Sequence, residues 1–340
     1  MESPDREAAA SAAGDHVIRR RMMGTYLTKR IIYMIVILFA ASFLIFSLYA
    51  LTPGDFISSN IKLSPERKAE LREIYGLSKP LLERYGIWMN NVFHGDFGFS
   101  LAQQQPVLKL FNQYIWNSFL LAVISTFLTW VIAVIIGVVS AYKQYSWFDT
   151  IVMVAIFAAM SIPSFFIGLF LIKILAVDLK WLPPGGMLTT GSNATGWAYI
   201  KEVIHHMTLP VIVMTLLGVG SLTRYFRSNM IDVIKQDYIR TARAKGLKED
   251  KVLFRHALRN ALLPAITLVG FELPALFGGS IIIEKIFNWP GIGQLYMQSF
   301  SLRDYPLLMG FTMLLAILTV IGTLLSDVLY HIADPRVRLH

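Results

Sequence analysis

The stretch DYIRTARAKGLKEDKVLFRHALRNALLP, residues 237–264, decides how the rest of the chain is interpreted, because it is strongly basic and lies between two long apolar runs. It contains three acids and seven basic residues: Arg240, Arg243, Lys245, Lys248, Lys251, Arg255 and Arg259. A segment this basic beside membrane-spanning helices belongs on the cytoplasmic side. We therefore expect a cytoplasmic loop between two spans.

The same stretch predicts two helices separated by a glycine. Apolar or small residues recur at helical spacing at Ile231, Ile234, Tyr238 and then Thr241 or Ala242, so a short amphipathic helix is expected up to Gly246. Gly246 can adopt the left-handed conformation that ends a helix. Glu249 and Asp250 then fall in the first turn of the next helix, where the helix dipole favours acids. Small side chains leave the backbone open to another protein's groove, and the pattern predicts a docking element at Thr241, Ala242, Ala244 and Gly246.

The composition requires a membrane: 55% of the residues are hydrophobic, 16% are charged and the mean hydropathy is +0.55. Six runs are almost free of charge: residues 31–51, 115–142, 151–172, 207–222, 261–283 and 306–326. A helix of ~20 residues rises ~30 Å, which matches the hydrocarbon core of a bilayer. The run 207–222 is short and is expected to continue past Arg224, whose side chain can snorkel. The chain is therefore predicted to be an all-α integral membrane protein with six transmembrane helices.

The distribution of basic residues sets the orientation. Basic residues flank both ends of the chain, at Arg19, Arg20, Arg21, Lys29, Arg30, Arg336 and Arg338. In the last connection on the opposite side, Lys285 follows Glu284 and Arg303 precedes Asp304, so the charges balance. Both termini are therefore predicted to be cytoplasmic. The net charge of +9, from 31 basic and 22 acidic residues, reflects this bias, and we expect no nucleic-acid partner.

These boundaries divide the chain into five parts. Residues 1–24 are expected to be a disordered cytoplasmic tail, residues 25–52 the first transmembrane helix, and residues 53–114 an extracytoplasmic helical insertion. Residues 115–334 form a five-helix core with the basic cytoplasmic loop at 229–260, and residues 335–340 a cytoplasmic tail. Within the insertion, Ser64, Pro65 and Glu66 predict the start of a helix that Gly76 ends, and a second helix is expected over residues 78–95.

At the basic loop the chain resembles a known family, the membrane permeases of bacterial ABC importers, and most closely the first (B-type) permease of the dipeptide, oligopeptide and nickel branch. Loops of that branch commonly read close to DYIRTARAKGL followed by HALRNALLP. Arg240-Thr241-Ala242 stands where many permeases have Glu-Ala-Ala, while Gly246 is kept. Further motifs carry the resemblance over nearly the whole chain beyond the first ~25 residues: TPGDF at 52–56, GDFGFS at 95–100, LTRYFRSNM at 222–230, FNWPGIG at 287–293, RDYP at 303–306 and DPR at 334–336.

The resemblance implies a type I ABC importer transmembrane domain, and it implies a coupling helix in the basic loop. The residues expected to couple to an ATPase are Asp237, Tyr238, Arg240, Thr241, Ala242, Arg243, Ala244, Gly246 and Leu247. The implied partners are a second homologous permease subunit, two ABC ATPase subunits, an extracytoplasmic substrate-binding protein and membrane lipid. Peptides are the expected cargo, with nickel chelates and oligosaccharides left open. A multi-pass location in the bacterial inner membrane is also implied.

Motifs for catalysis are missing from the sequence. It has no GxxxxGK[ST] phosphate loop, no HExxH, no GxSxG and no cysteine. We therefore expect no catalytic residue, no metal site and no cofactor on this chain, with ATP and Mg²⁺ bound by partner subunits. His205 and His206 point ~100° apart if helical, which disfavours a shared metal, and they are expected to mark the start of a helix.

Two groups are candidates for the translocation pathway. Glu272 lies near the middle of the fifth span, where an ionised carboxylate is costly unless it is paired or hydrated. It either lines a hydrated pathway or fills a helix interface. Ser161, Pro163 and Ser164 predict a bend in the third span, where serines satisfy carbonyls that the proline frees, and a pathway role is the alternative. The turns around Trp181 and Trp289 are expected to be interfacial anchors first and gate parts second.

Two other classes of protein compete with the importer hypothesis. A secondary transporter would carry inverted repeats, and no repeat relates the first three spans to the last three. A DNA-binding helix-turn-helix at residues 237–264 would need a third helix to cover its apolar face, and the loop offers none. Copurification separates the three: an ATPase indicates an importer, the absence of a partner a secondary transporter, and nucleic acid a DNA-binding protein.

Overall fold

The computed structural model describes residues 4–59, 63–278 and 281–333, with the backbone alone for residues 4–27, 266 and 331–333. The first helix, α1, runs from Pro4 to Leu51. The sequence predicted a disordered tail over residues 1–24, but the helix already begins at Pro4; residues 1–3 lie outside the described residues. Alanine and arginine are the commonest residues in this part of α1, and both are strong helix formers, which explains the difference.

The insertion after α1 contains three short helices and a small hairpin. They are α2 (Phe56–Ser59), α3 (Pro65–Ile74), α4 (Leu81–Phe93), β1 (Phe99–Ser100) and β2 (Gln105–Pro106). The Ser64 hydroxyl accepts the Arg67 N–H at 3.3 Å and Gly76 is left-handed at φ +63°, so the predicted cap and stop of α3 are confirmed. The second predicted helix starts later, at Leu81, because Pro80 favours an extended residue before it. The antiparallel pairing of β1 with β2 was not predicted.

The second span starts earlier than predicted, and the third is broken. Helix α5 runs over Val107–Tyr142, because its first turns are buried in a cluster with Ile292, Leu307 and Phe311. Helices α6 (Trp147–Ser161) and α7 (Ser164–Leu171) follow, and α7 continues as a π-helical turn to Asp178. The two pieces meet at 99°, so the predicted bend at Pro163 is confirmed.

The remaining helices complete the bundle. They are α8 (Gly196–Ile234), α9 (Asp237–Ala244), a π-helical segment (Lys251–Ala257) leading into α10 (Leu258–Ala261), a 3₁₀ turn (Leu263–Ala265), α11 (Ile266–Gly278), α12 (Ile281–Ile286), α13 (Ile292–Leu302) and α14 (Tyr305–Ala333). The fourth span continues past Arg224, as predicted, and also begins earlier. The DPR motif and the whole predicted C-terminal tail, residues 335–340, lie outside the described residues.

Helix packing shows that the chain crosses the membrane an even number of times. Helices α5 and α8 pack along each other, and α11 and α14 approach so closely that a Cβ on Gly270 would collide with the backbone of Gly322. Helix α1 is antiparallel to α14: Arg30 and Asp327 pair at 2.8 Å at one end, and the rings of Tyr49 and Tyr305 lie 5.7 Å apart near the other. The start of the first span and the end of the last therefore share one face. Five helices in the described ranges are long and apolar enough to span, and the bent pair supplies the sixth.

Candidate coupling segment, outer turns and pathway residues

A defined turn ends helix α9. Gly246 has φ +73° and donates its N–H to the Arg243 carbonyl at 2.9 Å, while Leu247 donates to the Ala242 carbonyl at 3.4 Å. These two bonds are those of a Schellman motif, which requires a left-handed residue at the position of Gly246. The predicted left-handed glycine is confirmed. A Cβ on Gly246 would meet no heavy atom within 4 Å, so the segment is open to a partner here.

Helix α9 has a buried face and an exposed face. Ile239 is fully buried and Ala242 is 7% exposed, both in a cluster with Val252, Leu253 and Ala257. Ala242 was expected on the docking surface and instead packs inward, because it lies one turn after Ile239 on the face that covers the following π-helical segment. The other predicted coupling residues are exposed: Asp237, Tyr238, Arg240, Thr241, Arg243, Ala244, Gly246 and Leu247.

An ion pair braces the turn after α9. The Arg243 guanidinium donates to both Glu249 carboxylate oxygens, with Nη2–Oε1 at 2.6 Å and Nε–Oε2 at 3.2 Å. These hydrogen bonds hold the pKa of Glu249 below its usual value. By contrast, Arg240 pairs with Asp237 at 3.3 Å through side chains that are 72% and 94% exposed. Arg243 therefore holds the turn after α9 in place, whereas the side chain of Arg240 remains accessible.

A buried ion pair fastens α8, the helix that precedes the coupling segment at residues 237–247, to α6. Arg227 of α8 donates to Asp149 of α6 through Nε–Oδ1 at 2.7 Å and Nη2–Oδ2 at 2.6 Å. Asp149 also accepts from the Ser140 hydroxyl and from the Tyr145 N–H, the latter at 3.0 Å. This cluster joins the end of α5, the turn to α6 and the last part of α8. This cluster was not predicted from the sequence. The serine cap at Ser146 followed by Asp149 in the first turn was a local sign of the start of α6.

Trp289 is not an interfacial anchor, contrary to the prediction. Its side chain is fully buried, and its Nε1 donates to the Asn117 carbonyl at 3.0 Å. The Asn117 side chain in turn donates to the Pro290 carbonyl at 2.8 Å. These reciprocal bonds hold the FNWPGIG turn against α5. Trp181, which is 67% exposed, is compatible with the predicted anchor role.

The start of α13 is stabilised by buried acceptors. The Ser118 hydroxyl accepts the Ile292 N–H at 2.8 Å, and Glu284 Oε2 accepts the N–H groups of Gly293 at 2.8 Å and Gln294 at 3.2 Å. The first N–H groups of a helix have no partner within the helix, and they carry the positive end of its dipole. A fully buried Glu284 therefore serves as the counter-charge for this helix end.

Asp304 ties the RDYP motif to the GDFGFS motif. Its carboxylate is fully buried and accepts from the Ser100 hydroxyl and, at 3.3 Å, from the Ala102 N–H. Burial raises the pKa of Asp304, and the hydrogen bonds oppose that shift. The contact fastens the hairpin of the insertion to the start of α14.

The two histidines hold a loop. His206 Nδ1 lies 3.0 Å from the Gly185 carbonyl, and His205 Nε2 lies 3.2 Å from the Trp181 carbonyl. They do not mark the start of the helix as predicted, because α8 begins at Gly196. Within the described ranges, no three His, Asp or Glu side chains gather as they would around a metal ion.

The candidate pathway residues lie on helices that pack against different neighbours. Glu272 is half-buried on α11, with the Trp130 side chain of α5 as a hydrogen-bonding neighbour. The bend at Ser161 and Pro163 is exposed, Ser164 is half-buried, and the Ser161 hydroxyl donates to the Phe157 carbonyl at 2.8 Å. Helix α11 packs mainly on α14 and α5, whereas α6 packs mainly on α8. The two groups therefore do not form one cluster.

Comparison with known proteins covers nearly the whole chain. The family model described as "Binding-protein-dependent transport system inner membrane component" matches residues 133–339, and its N-terminal companion matches residues 23–113. The chain is 42% identical to the oligopeptide transport system permease protein AppB of Bacillus subtilis (strain 168), covering 93% of this chain and 99% of that protein. It is 34% identical to the dipeptide transport system permease protein DppB of Alkalihalophilus pseudofirmus, covering 93% and 100%.

A solved structure with a similar fold is that of the MetNI methionine ABC transporter in inward-facing conformations. The TM-score is 0.50 at 17% identity, and the match covers 67% of this chain and 97% of that chain. At this identity the likeness concerns the fold alone, and it agrees with the predicted type I transmembrane domain.

Proposed function

The chain belongs to the family of binding-protein-dependent transport system inner membrane components, and from that premise we propose that it forms half of the translocation pathway of an ATP-driven peptide importer. The printed names of the relatives, oligopeptide and dipeptide permeases, support peptides as the cargo class. The chain is a multi-pass membrane protein. The proposed location is the bacterial inner membrane, with both termini in the cytoplasm.

The partners follow from the same proposal. A second, homologous permease subunit completes the pathway, two ABC ATPase subunits dock on the cytoplasmic side, and an extracytoplasmic binding protein delivers the peptide. ATP and Mg²⁺ bind to the ATPase subunits. This chain contributes neither a catalytic residue nor a cofactor of its own, and acts by transmitting movement from the ATPases to the spans.

The observation that carries the proposal is the coupling segment at residues 237–247. One face of α9 is packed on the chain's own core, so the helix is held in place, while the other face has no covering element among the described residues. Apolar side chains remain exposed around it: Tyr238 by 44%, Leu247 by 36% and Phe254 by 59%. Exposed apolar groups beside accessible charges are typical of a protein interface. An ATPase groove is the partner that this family membership supports.

The test is a pair of substitutions at Gly246. Gly246→Val places a β-branched residue at φ +73°, where even an unbranched L-residue costs ~1–2 kcal/mol. Gly246→Asn is the matched control, because asparagine tolerates the left-handed conformation. A Cβ at this position meets no heavy atom within 4 Å, so the expected difference between the two variants is one of backbone strain.

We expect Gly246→Val to insert into the membrane normally and to weaken ATPase association by about tenfold, since 1.4 kcal/mol corresponds to a factor of 10. Peptide-stimulated ATP hydrolysis by the assembled complex should fall in parallel, and Gly246→Asn should retain both activities. Equal ATPase copurification and equal stimulated hydrolysis in the two variants would refute the coupling role. The cargo class is tested separately, by identifying the ligand that the partner binding protein holds when it stimulates this complex.

A further inference from the structure

A cavity of about 340 Å³ lies where the ends of α1 and α14 meet the insertion. Three of the motifs described above contribute to its wall: the TPGDF turn, the GDFGFS segment and the RDYP segment. Helices α3 and α4 close the other side. A volume of this size is within the range of small-molecule sites in proteins. None of the proposed transport steps uses it.

The charged lining of this cavity is positive. Three arginines, Arg72, Arg84 and Arg303, face one acid, Asp55, which gives a net charge of +2. Asp55 already pairs with Arg72 at 3.0 Å. Across the part of the chain that the structure describes, no carboxylate lies within ion-pair distance of Arg84 or Arg303. Among the same residues, the Arg303 guanidinium has the Pro53 carbonyl as its acceptor, at 3.5 Å.

Arg84 is held in a partly apolar place. Its guanidinium carbon lies 5.8 Å from the centre of the Phe46 ring, in a cation–π arrangement. Burial lowers the pKa of Arg84, and attraction from Asp55 opposes that shift. A cation that is partly removed from water normally has an anion beside it. The cavity provides the cations and the space for such an anion, but no protein group that fills it.

The polar aromatic groups of the wall also lack partners. Trp88 is 8% exposed, and its Nε1 finds no hydrogen-bond acceptor among the described residues. The Tyr305 hydroxyl is likewise unpaired within those residues. Both atoms are shielded from the open space of the cavity, so the donors that an occupant can reach are those of the arginines.

The apolar part of the wall comes from two spanning helices. Phe46, Tyr49 and Met309 belong to α1 and α14. On the opposite face of α1, Leu44, Leu48 and Leu51 are 67%, 66% and 72% exposed, as expected for side chains that face lipid, so α1 lies at the lipid boundary. Tyrosine and tryptophan are enriched at the depth of lipid headgroups. The cavity therefore offers cations at headgroup depth beside an apolar surface.

We propose that this cavity binds the phosphate headgroup of an anionic membrane phospholipid. Arg84 and Arg303 hold the phosphate, because a guanidinium presents several donors in a plane that matches phosphate oxygens. The acyl chains contact the apolar wall that Phe46, Tyr49 and Met309 provide. A lipid is favoured over an acidic protein side chain because the apolar wall is formed by the spanning helices. Basic pockets at the ends of membrane helices bind anionic lipid in the same way.

The experiment uses the assembled importer, purified and stripped of lipid by a fixed detergent wash. Native mass spectrometry measures the apparent affinity for phosphatidylglycerol, with phosphatidylethanolamine and inorganic phosphate as separate arms. The variant is Arg84→Gln with Arg303→Gln. The matched control is Arg67→Gln, since Arg67 is an exposed cation of α3 that pairs with Glu70 and does not line the cavity.

We expect phosphatidylglycerol to bind the double variant at least about tenfold more weakly, the loss typical of one charge-assisted hydrogen bond, and the control to bind it normally. A second variant, Ile87→Trp, fills the space while keeping every arginine, and should also lose the lipid. Melting temperatures of the assembled complexes report whether each variant is folded.

Three results would overturn the proposal. The first is equal phosphatidylglycerol affinity in the double variant, in Ile87→Trp and in the control. The second is arginine-dependent stabilisation by inorganic phosphate that equals the effect of the lipid, which would indicate a site for a free anion. The third is loss of binding-protein association in the double variant with lipid binding unchanged, which would assign the arginines to a protein interface.

Discussion

Removing one partner of the buried ion pair between Arg227 and Asp149 should destabilise the bundle strongly. Arg227→Met leaves Asp149, whose side chain is 5% exposed, with the Ser140 hydroxyl and the Tyr145 N–H as its remaining partners. Breaking a buried ion pair from one side costs about 3–5 kcal/mol, because a buried charge is left uncompensated. The double variant Arg227→Met with Asp149→Asn removes both charges, and we expect it to cost less than half as much.

The assay is a denaturation titration of the purified complex, from which the change in unfolding free energy is obtained for each variant. Arg224→Met is the matched control, because Arg224 is an exposed arginine one turn earlier on α8 without an ion pair among the described residues. It should cost under about 0.5 kcal/mol, as is usual for surface substitutions. Asp149→Asn is also measured alone. If the cost of the double variant equals the sum of the two single-variant costs to within about 0.5 kcal/mol, the coupling between the two charges is refuted. The importance of the ion pair would also be refuted if Arg227→Met lowered the unfolding free energy no more than Arg224→Met does.

Three further predictions concern coupling, topology and the pathway. Ala242→Trp should lower the melting temperature, because it overpacks a buried position. Ala244→Trp should leave the melting temperature unchanged and block ATPase copurification, because Ala244 is exposed. Equal behaviour of the two variants would contradict the assignment of buried and exposed faces on α9. With single cysteines at Lys68 and Lys248, an impermeant reagent added to intact cells should label only the cysteine at position 68, and labelling of Lys248→Cys from outside would contradict the predicted topology. Glu272→Gln should change the uptake of cationic relative to neutral peptides with an unchanged melting temperature, and unchanged uptake of both would favour the interface role.

Features that depend on a few neighbouring residues were predicted well. The Ser64 cap and the left-handed conformation of Gly246 follow from local backbone chemistry, which a short stretch of sequence contains in full. The apolar runs likewise predicted the spans, because a bilayer imposes the same length on every crossing helix. The bend at Pro163 also followed from one residue that lacks an N–H group.

Features that depend on contacts between distant parts of the chain were missed. Ala242 and Ala244 are the same residue type in one helix, and only the π-helical segment packed on α9 makes the first buried and the second exposed. Trp289 is buried because α5 supplies its hydrogen-bond acceptor 172 positions away. Arg227 and Asp149 are 78 positions apart, and no local pattern reveals that they meet. The helix of the basic loop could therefore be located from the sequence, but which of its faces is buried could not.

The 99° bend between α6 and α7 has a consequence for how this subunit is made in the cell. At the break, Pro163 offers no N–H group, and the carbonyls that end α6 lose their helical partners within the depth of the bilayer. Hydrocarbon cannot solvate such groups, so this surface must meet protein or water. A newly inserted copy without the proposed second permease subunit would expose the break to lipid. We expect such an orphan to be recognised and degraded, which would match the amount of this chain to that of its companion.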